Sequence, residues 1–483
     1  MTDLAFQSAT ELAAGIRDKK VSSLELLDYF IGRVEKFNPA LNAIVVKDYD
    51  RARDQAEAAD EKLARGEVSG PLHGVPMSIK DSYDVAGLPT TWGVPDLRDN
   101  IAGSDALSVQ RLKGAGAVIF GKTNVPLRLA DLQSYNEIYG TTNNPWDLER
   151  VPGGSSGGSA AALSAGLTGF DCGSDIGSSI RNPAHYCGVF GHKPTWELLP
   201  MRGHALPGVL TPTDLSVIGP LGRSAEDLRI GVEVMAGPDE LAGRGLKLDL
   251  PEPTQKSLAD FKVAVWLDDP RCPIDAPVRD KMEEAVQAME KAGATVDRDA
   301  RPEIDSDQAY KTYIHLLNAA MAGRVSDEVF RETLKTAFAY DIDDTSKPAI
   351  TARRNLYMLR EWSASNERRQ HMRWAWHEFF KDYDAILTPM CNTTAFKHDH
   401  SEGPRLVSVN GEMRPYMDSV FWAGVASTSY LPSTLTPLGP ASDGLPTGMQ
   451  IIGPEYGDLT TIELARLLTQ EFGGYVPPPG YAD

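Results

Sequence analysis

The stretch GGSSGGSAAALSAGLTGFDCGSDIGSSIRNPAHYCGVFGHKP, Gly153 to Pro194, decides how this chain is read. It holds two glycine-serine turns, Gly153-Gly154-Ser155-Ser156-Gly157-Gly158 and Asp175-Ile176-Gly177-Ser178-Ser179. Between them, Ala160 to Leu167 is a small-residue segment of helical length. Glycine lets the backbone take positive φ and approach another group closely. Two such turns gather serine hydroxyls and backbone N–H groups where no bulky side chain intervenes. Nucleophilic acyl transfer uses that arrangement: a hydroxyl, a proton acceptor within reach, and N–H donors for a developing oxyanion.

Three other readings compete. A Gly/Ser run is often a linker, but apolar segments adjoin both turns and the composition does not continue. Gly153 and Gly158 have phosphate-loop spacing, yet Ser159-Ala160 stand where Lys-Ser/Thr belongs. Gly154-x-Ser156-x-Gly158 fits a nucleophile elbow, which must follow a strand. Here it follows Asn143 to Arg150, which reads as loop.

The stretch resembles the signature sequence of the amidase signature family of serine hydrolases. The resemblance implies roles residue by residue. Ser179 matches the nucleophile, Ser155 the serine that follows a cis peptide bond, and Lys80, in Val-Pro-Met-Ser-Ile-Lys-Asp, the base. Ser178 departs from the pattern, since many members carry glycine there. The backbone N–H groups of Ile176, Gly177, Ser178 and Ser179 are the expected oxyanion donors, with Asp175 and Arg181 shaping the turn behind them. By composition alone Lys80 would be a solvated strand-end lysine; the short apolar run before it and the match raise it. The implied fold is α/β: a single domain over residues 1–483 with a large mixed twisted sheet flanked by helices on both faces. Its signature core covers about 70–225. A less recognisable helical segment, about 300–380, is expected to cover the site.

Length and composition set bounds. A chain of 483 residues could hold two to four domains, although large α/β enzymes can be one. The net charge of −19 disfavours nucleic acid and anionic membrane surfaces. No run approaches a membrane span, no secretory signal is legible at the N-terminus, and a cytoplasmic protein, monomer or homodimer, is expected. Cys172, Cys187, Cys272 and Cys391 lack CxxC spacing and read as packed thiols.

Along the chain, Ser8-x-x-Glu11 and Ser22-x-x-Glu25 are capping boxes. The second opens a helix with Leu26, Leu27, Phe30 and Val34 on one face, ending near Asn38-Pro39. Residues 48–65 read as a polar helix, Met77 to Lys80 as a strand, Ser104 to Lys113 as a helix and Ala117 to Phe120 as a strand. Lys122 is expected in a loop or at a helix start. Leu198 to Arg223, rich in proline and glycine, reads as irregular chain. Further strands are expected at Phe261 to Leu267, Asp384 to Thr388 and Pro446 to Gly453, and helices at Ala276 to Gly293 and Asp458 to Phe472.

No metal or organic cofactor is expected. No histidine pair has zinc-protease spacing, and His398-Asp399-His400 reads as surface loop. A Ser-His-Asp triad using His185, His192 or His204 is not excluded by spacing. The expected reaction is hydrolysis of a small-molecule amide. Carbamate or ester cleavage, and the amidase subunit of a tRNA-dependent amidotransferase, are alternatives. Tyr416, Phe421 and Trp422 are candidates for an apolar acyl or aryl pocket.

Overall fold

The computed structural model describes residues 4–323 and 325–482. Strand pairing builds an eight-stranded mixed sheet and a three-stranded one. The smaller sheet places Val118–Thr123 between Ile44–Lys47, antiparallel to it, and Pro76–Lys80, parallel to it. The larger sheet begins with Asp171–Asp175, pairs it with Val217–Gly222, and continues through Phe190–Lys193, Ser433–Pro440, Pro446–Ile452, Ala385–Pro389 and Lys262–Val265 to Thr295–Asp297. The two sheets meet where Ser78 N–H donates to the Phe170 carbonyl at 3.3 Å and Gly169 N–H to the Pro76 carbonyl at 3.1 Å. That junction sets Lys80 beside the second glycine-serine turn.

Helices cover both faces. Met77, Ile79, Cys172, Ile218, Val263 and Ile451 are buried against one set, including Ala225–Met235, Ala276–Lys291 and Asp458–Phe472. On the other face, Val118, Phe120, Leu221 and Leu435 pack with Ser23–Leu41, Gly157–Ser164 and Arg181–Cys187. The chain is thus an α/β/α protein. Both N-terminal capping boxes are formed, at Ser8/Glu11 and Ser22/Glu25. The helix after Ser22 runs past Pro39 to Leu41 and stops at Asn42 in the left-handed conformation.

Three expectations meet the structure with differing results. Val217–Gly222 is a fully buried strand inside the stretch read as irregular. Gly219 explains why a proline- and glycine-rich run can be one: a Cβ there would lie 2.2 Å from the His192 carbonyl oxygen. Lys122 is no loop residue. It lies in the strand Val118–Thr123, buried, with Nζ donating to the Pro89 carbonyl (2.5 Å) and Thr90 Oγ1 (3.1 Å), 3.9 Å from Asp81. Burial pulls its ammonium down to about 8. The four cysteines are buried free thiols, as their spacing suggests.

Residues 306–379 are mostly helical, with helices Ser306–Ala322, Asp327–Phe338, Lys347–Arg354 and Leu359–Phe379. Their aromatics divide: Tyr313 and Trp376 are buried, whereas Trp374 is 67 % exposed.

Candidate active site

The glycine-serine run is among the most tightly packed chain in the protein. A Cβ on Gly158 would lie 2.4 Å from the Asn124 nitrogen, and Gly153 combines φ +86° with the Pro183 Cα 2.6 Å from a Cβ position. Every residue of the helix Gly157–Ser164 is buried, which accounts for its glycine, alanine and serine content. Ser134 Oγ fastens the turn by donating to the Gly153 carbonyl (3.0 Å) and accepting from Gly157 N–H (3.1 Å). The peptide bond between Gly154 and Ser155 is cis.

Lys80 ends the strand Pro76–Lys80 and is fully buried. Its Nζ lies 2.7 Å from Ser155 Oγ, 2.8 Å from Ser156 Oγ and 2.9 Å from Ser174 Oγ. The two glycine-serine turns are tied by Ser156 N–H, which donates to the Ser179 carbonyl at 3.1 Å. Ser179 is 6 % exposed, against 1 % for Ser155 and none for Lys80, so it is the least enclosed of the three. Sequence reasoning misses Ser174. Its proximity to Lys80 comes from the approach of two strands, and nothing in its local spacing signals it.

Asp175 and Arg181 form a buried ion pair with contacts of 2.9 and 3.0 Å. Burial alone would raise the Asp175 carboxyl. The Arg181 charge and hydrogen bonds outweigh it and hold the group down to about 2. The carboxylate accepts from Ser178 N–H at 2.9 Å and Ile180 N–H at 3.1 Å. Ser178 therefore leaves the expected set of oxyanion donors: its N–H is committed to Asp175. Its φ of +102° is a conformation that favours glycine, the residue the family pattern carries there. Among the described residues no hydrogen bond is given by the N–H groups of Ile176, Gly177 and Ser179.

The three nearby histidines have hydrogen-bond partners of their own. His185 spans Gly448 and Thr393, His192 spans Thr434 and Asp458, and His204 meets Ser82. Burial pulls the His185 imidazole down to about 4. Two other buried lysines, Lys122 and Lys193, donate to backbone carbonyls rather than to a serine of the turns. Among the described residues no cluster of three potential metal ligands exists.

The pocket expectation is corrected in part. Trp422 is a core residue: fully buried, with its indole N–H donating to the Cys272 carbonyl at 3.2 Å. The Tyr416 hydroxyl is bound to Asp131, and Arg405 lies over its ring at 4.2 Å. Phe421 lines a cavity of about 310 Å³ with Trp266, Tyr310, Asp269, Arg301 and Asp305; Lys80, Ser155 and Ser179 are not among its lining residues.

Asp171 adds a pH-dependent feature beside the site. It is fully buried and accepts from Ser78 Oγ at 2.5 Å. Burial raises its carboxyl to about 7, against the opposing hydrogen bonds and the Lys80 charge. A carboxyl raised on folding binds its proton more tightly in the native state. Its contribution to stability is full below the unfolded value, falls as pH rises from about 4 to 7, and is level above that. Asp171→Asn removes the penalty and keeps an acceptor for Ser78. The thermal midpoint of the variant minus that of the wild type should therefore grow from pH 5 to pH 8, by at most about 3 kcal/mol of stability. A difference independent of pH would show that Asp171 is ionised throughout.

Comparison with known proteins agrees with this architecture. The amidase family profile matches residues 25–462. The chain is 32% identical over 479 residues to an indoleacetamide hydrolase of Bradyrhizobium diazoefficiens, covering 96% of this chain and 86% of the relative. It is 30% identical to a glutamyl-tRNA(Gln) amidotransferase subunit of Coxiella burnetii, over 96% of this chain and 97% of that one. A bacterial aryl acylamidase of the amidase signature family superposes with a TM-score of 0.81 at 25% identity, covering 97% of this chain and 96% of the other. The chain belongs to the amidase family, the amidase signature hydrolases.

Proposed function

We propose that this protein hydrolyses the acyl C–N bond of small amides through an acyl-enzyme on Ser179, with Ser155 relaying a proton to Lys80. The observation that carries the reading is the buried Lys80 amine 2.7 Å from Ser155 Oγ, on a turn bonded to the backbone of Ser179. In the uncharged amine, two N–H groups serve two of the surrounding hydroxyls and the lone pair receives the proton of the third. Ser179 Oγ attacks the carbonyl while its proton passes through Ser155 to Lys80. The same path returns it to the leaving amine, and water then releases the acyl group. The N–H groups of Ile176, Gly177 and Ser179 are the remaining donors for the oxyanion; removing one such donor costs about 3–4 kcal/mol in well-studied hydrolases.

The substrate class we favour is bulky or aromatic amides. Two of the relatives are named for acting on indoleacetamide and aryl acylamides. Burying an aryl group is worth roughly 2–3 kcal/mol, so aromatic amides should exceed acetamide in kcat/KM by about 30- to 150-fold. The test is a hydrolysis panel of indole-3-acetamide, acyl anilides, acetamide and glutamine, with matched esters and carbamates. Equal turnover of acetamide would overturn the aromatic preference, and faster esters or carbamates would move the bond class. A second reading, the amidase component of a glutamine-dependent amidotransferase, is favoured by the 30% identity to the Coxiella burnetii amidotransferase subunit over nearly the whole length of both chains. Glutamine as the best substrate, or a second chain co-purifying, would select it.

A further inference from the structure

The turn that carries Ser179 is held from one side by Asp175. On its other side stands Tyr313, far along the chain on the helix Ser306–Ala322. The Tyr313 hydroxyl donates to the Ile176 carbonyl at 3.2 Å, the only hydrogen bond given to that carbonyl among the described residues. A Cβ on Gly177 would lie 3.3 Å from the same hydroxyl. The ring is clamped from behind: Gly424, on the helix Val420–Ser427, approaches so closely that a Cβ there would lie 2.5 Å from Tyr313 Cδ1. Tyr313 is fully buried, and burial raises its phenol well above the usual range, so it remains a donor at any working pH.

The Ile176 carbonyl and the Gly177 N–H belong to one planar peptide group. In a trans peptide they point in opposite directions. A hydrogen bond that fixes the carbonyl therefore fixes the direction of the N–H. It also polarises the amide, which strengthens the bond the N–H can give. We infer that Tyr313 is a positioning residue for catalysis: by holding the Ile176 carbonyl it aims the Gly177 N–H at the oxyanion formed on attack by Ser179. This rests on the acyl-enzyme reading above. Tyr313 acts through the backbone and not on the substrate, so its effect belongs to the transition state.

The experiment compares wild type, Tyr313→Phe, Tyr313→Leu and Tyr313→His on the best amide of the panel. Inhibition by a trifluoromethyl ketone is measured in parallel, since its adduct carries an oxyanion. Tyr313→Phe should lower kcat by about 10- to 100-fold, a fraction of what loss of a direct donor costs, with KM within about twofold. Affinity for the ketone should fall by the same factor as kcat/KM. Tyr313→His, which retains a donor, should keep more activity than Tyr313→Leu; this pair carries the test if Tyr313→Phe does not fold. Unchanged kcat in a folded Tyr313→Phe overturns the inference. A rise in KM alone overturns it too, and makes Tyr313 a substrate contact. If wild type neither hydrolyses an amide nor is labelled at Ser179 by a fluorophosphonate, the acyl-enzyme reading itself fails.

Discussion

Ser179→Ala is expected to lower kcat by about four orders of magnitude or more with the fold intact, because a nucleophile and its proton relay act as a unit. The substitution removes one buried oxygen; the backbone bond from Ser156 N–H to the Ser179 carbonyl survives it. Ser155→Ala should be nearly as severe and Ser156→Ala milder, although both hydroxyls reach Lys80 at almost the same distance. What separates them is their other bonds. Ser156 Oγ also meets the backbone of Ser174, at 3.3 Å from its nitrogen and 3.4 Å from its carbonyl oxygen. Ser155 Oγ has Lys80 as its one hydrogen-bond partner among the described residues, which leaves it available to Ser179. The measurements are kcat on the best amide, fluorophosphonate labelling and a thermal midpoint for each variant. A dead Ser156→Ala beside an active Ser179→Ala would make Ser156 the nucleophile and withdraw the present assignment.

The residues around Lys80 are legible to the extent that local sequence carries geometry. Gly153 and Gly158 are needed because backbone comes within contact distance of them, and such positions stand out as glycine wherever they lie. The capping boxes at Ser8 and Ser22 are equally local. Ser174 and Tyr313 are not legible, since each reaches the site only through tertiary placement. Ser174 meets Lys80 across 94 positions and Tyr313 meets Ile176 across 137. A serine in a strand and a tyrosine in an ordinary helix carry no mark of such meetings.

The same limit explains the misread segments. Val217–Gly222 has neither the alternation nor the β-branched run of a typical strand. It is held by its neighbours, with Cα pairs such as Cys172 with Pro220 and Gly173 with Gly219. Lys122 reads as a loop residue because lysine is seldom buried. Of its partners, Asp81 directly follows the neighbouring strand Pro76–Lys80, and Pro89 and Thr90 lie in the chain after it. Trp422 reads as pocket lining because exposed and core aromatics look alike in sequence. Its indole donor is satisfied inside the core, by Cys272.

Lys80→Met should abolish turnover as thoroughly as Ser179→Ala, and the pH profile tells a base from a merely structural lysine. Methionine keeps much of the volume of the buried stem and removes the amine. The Ser156 hydroxyl keeps the backbone of Ser174, while those of Ser155 and Ser174 lose Lys80, their one hydrogen-bond partner among the described residues, so the variant should lose about 1–3 kcal/mol of stability for each. A general base works in its uncharged form, and free lysine titrates at about 10.4. Wild-type kcat/KM should therefore rise with pH and then level. In Lys80→Met the residual rate, raised by large amounts of enzyme into a measurable range, should lose that rise. Asp171 is a group beside the site whose titration is shifted into the neutral range, to about 7. It can be separated: a rise that persists in Lys80→Met and vanishes in Asp171→Asn belongs to the carboxyl. A rise that vanishes in Lys80→Met and persists in Asp171→Asn belongs to the lysine. Fluorophosphonate labelling of Ser179 should slow in step with turnover, because the same proton transfer activates the hydroxyl toward phosphorus and toward carbon. Labelling at the wild-type rate in Lys80→Met would mean that Ser179 is activated without Lys80, and its role as the base would have to be given up.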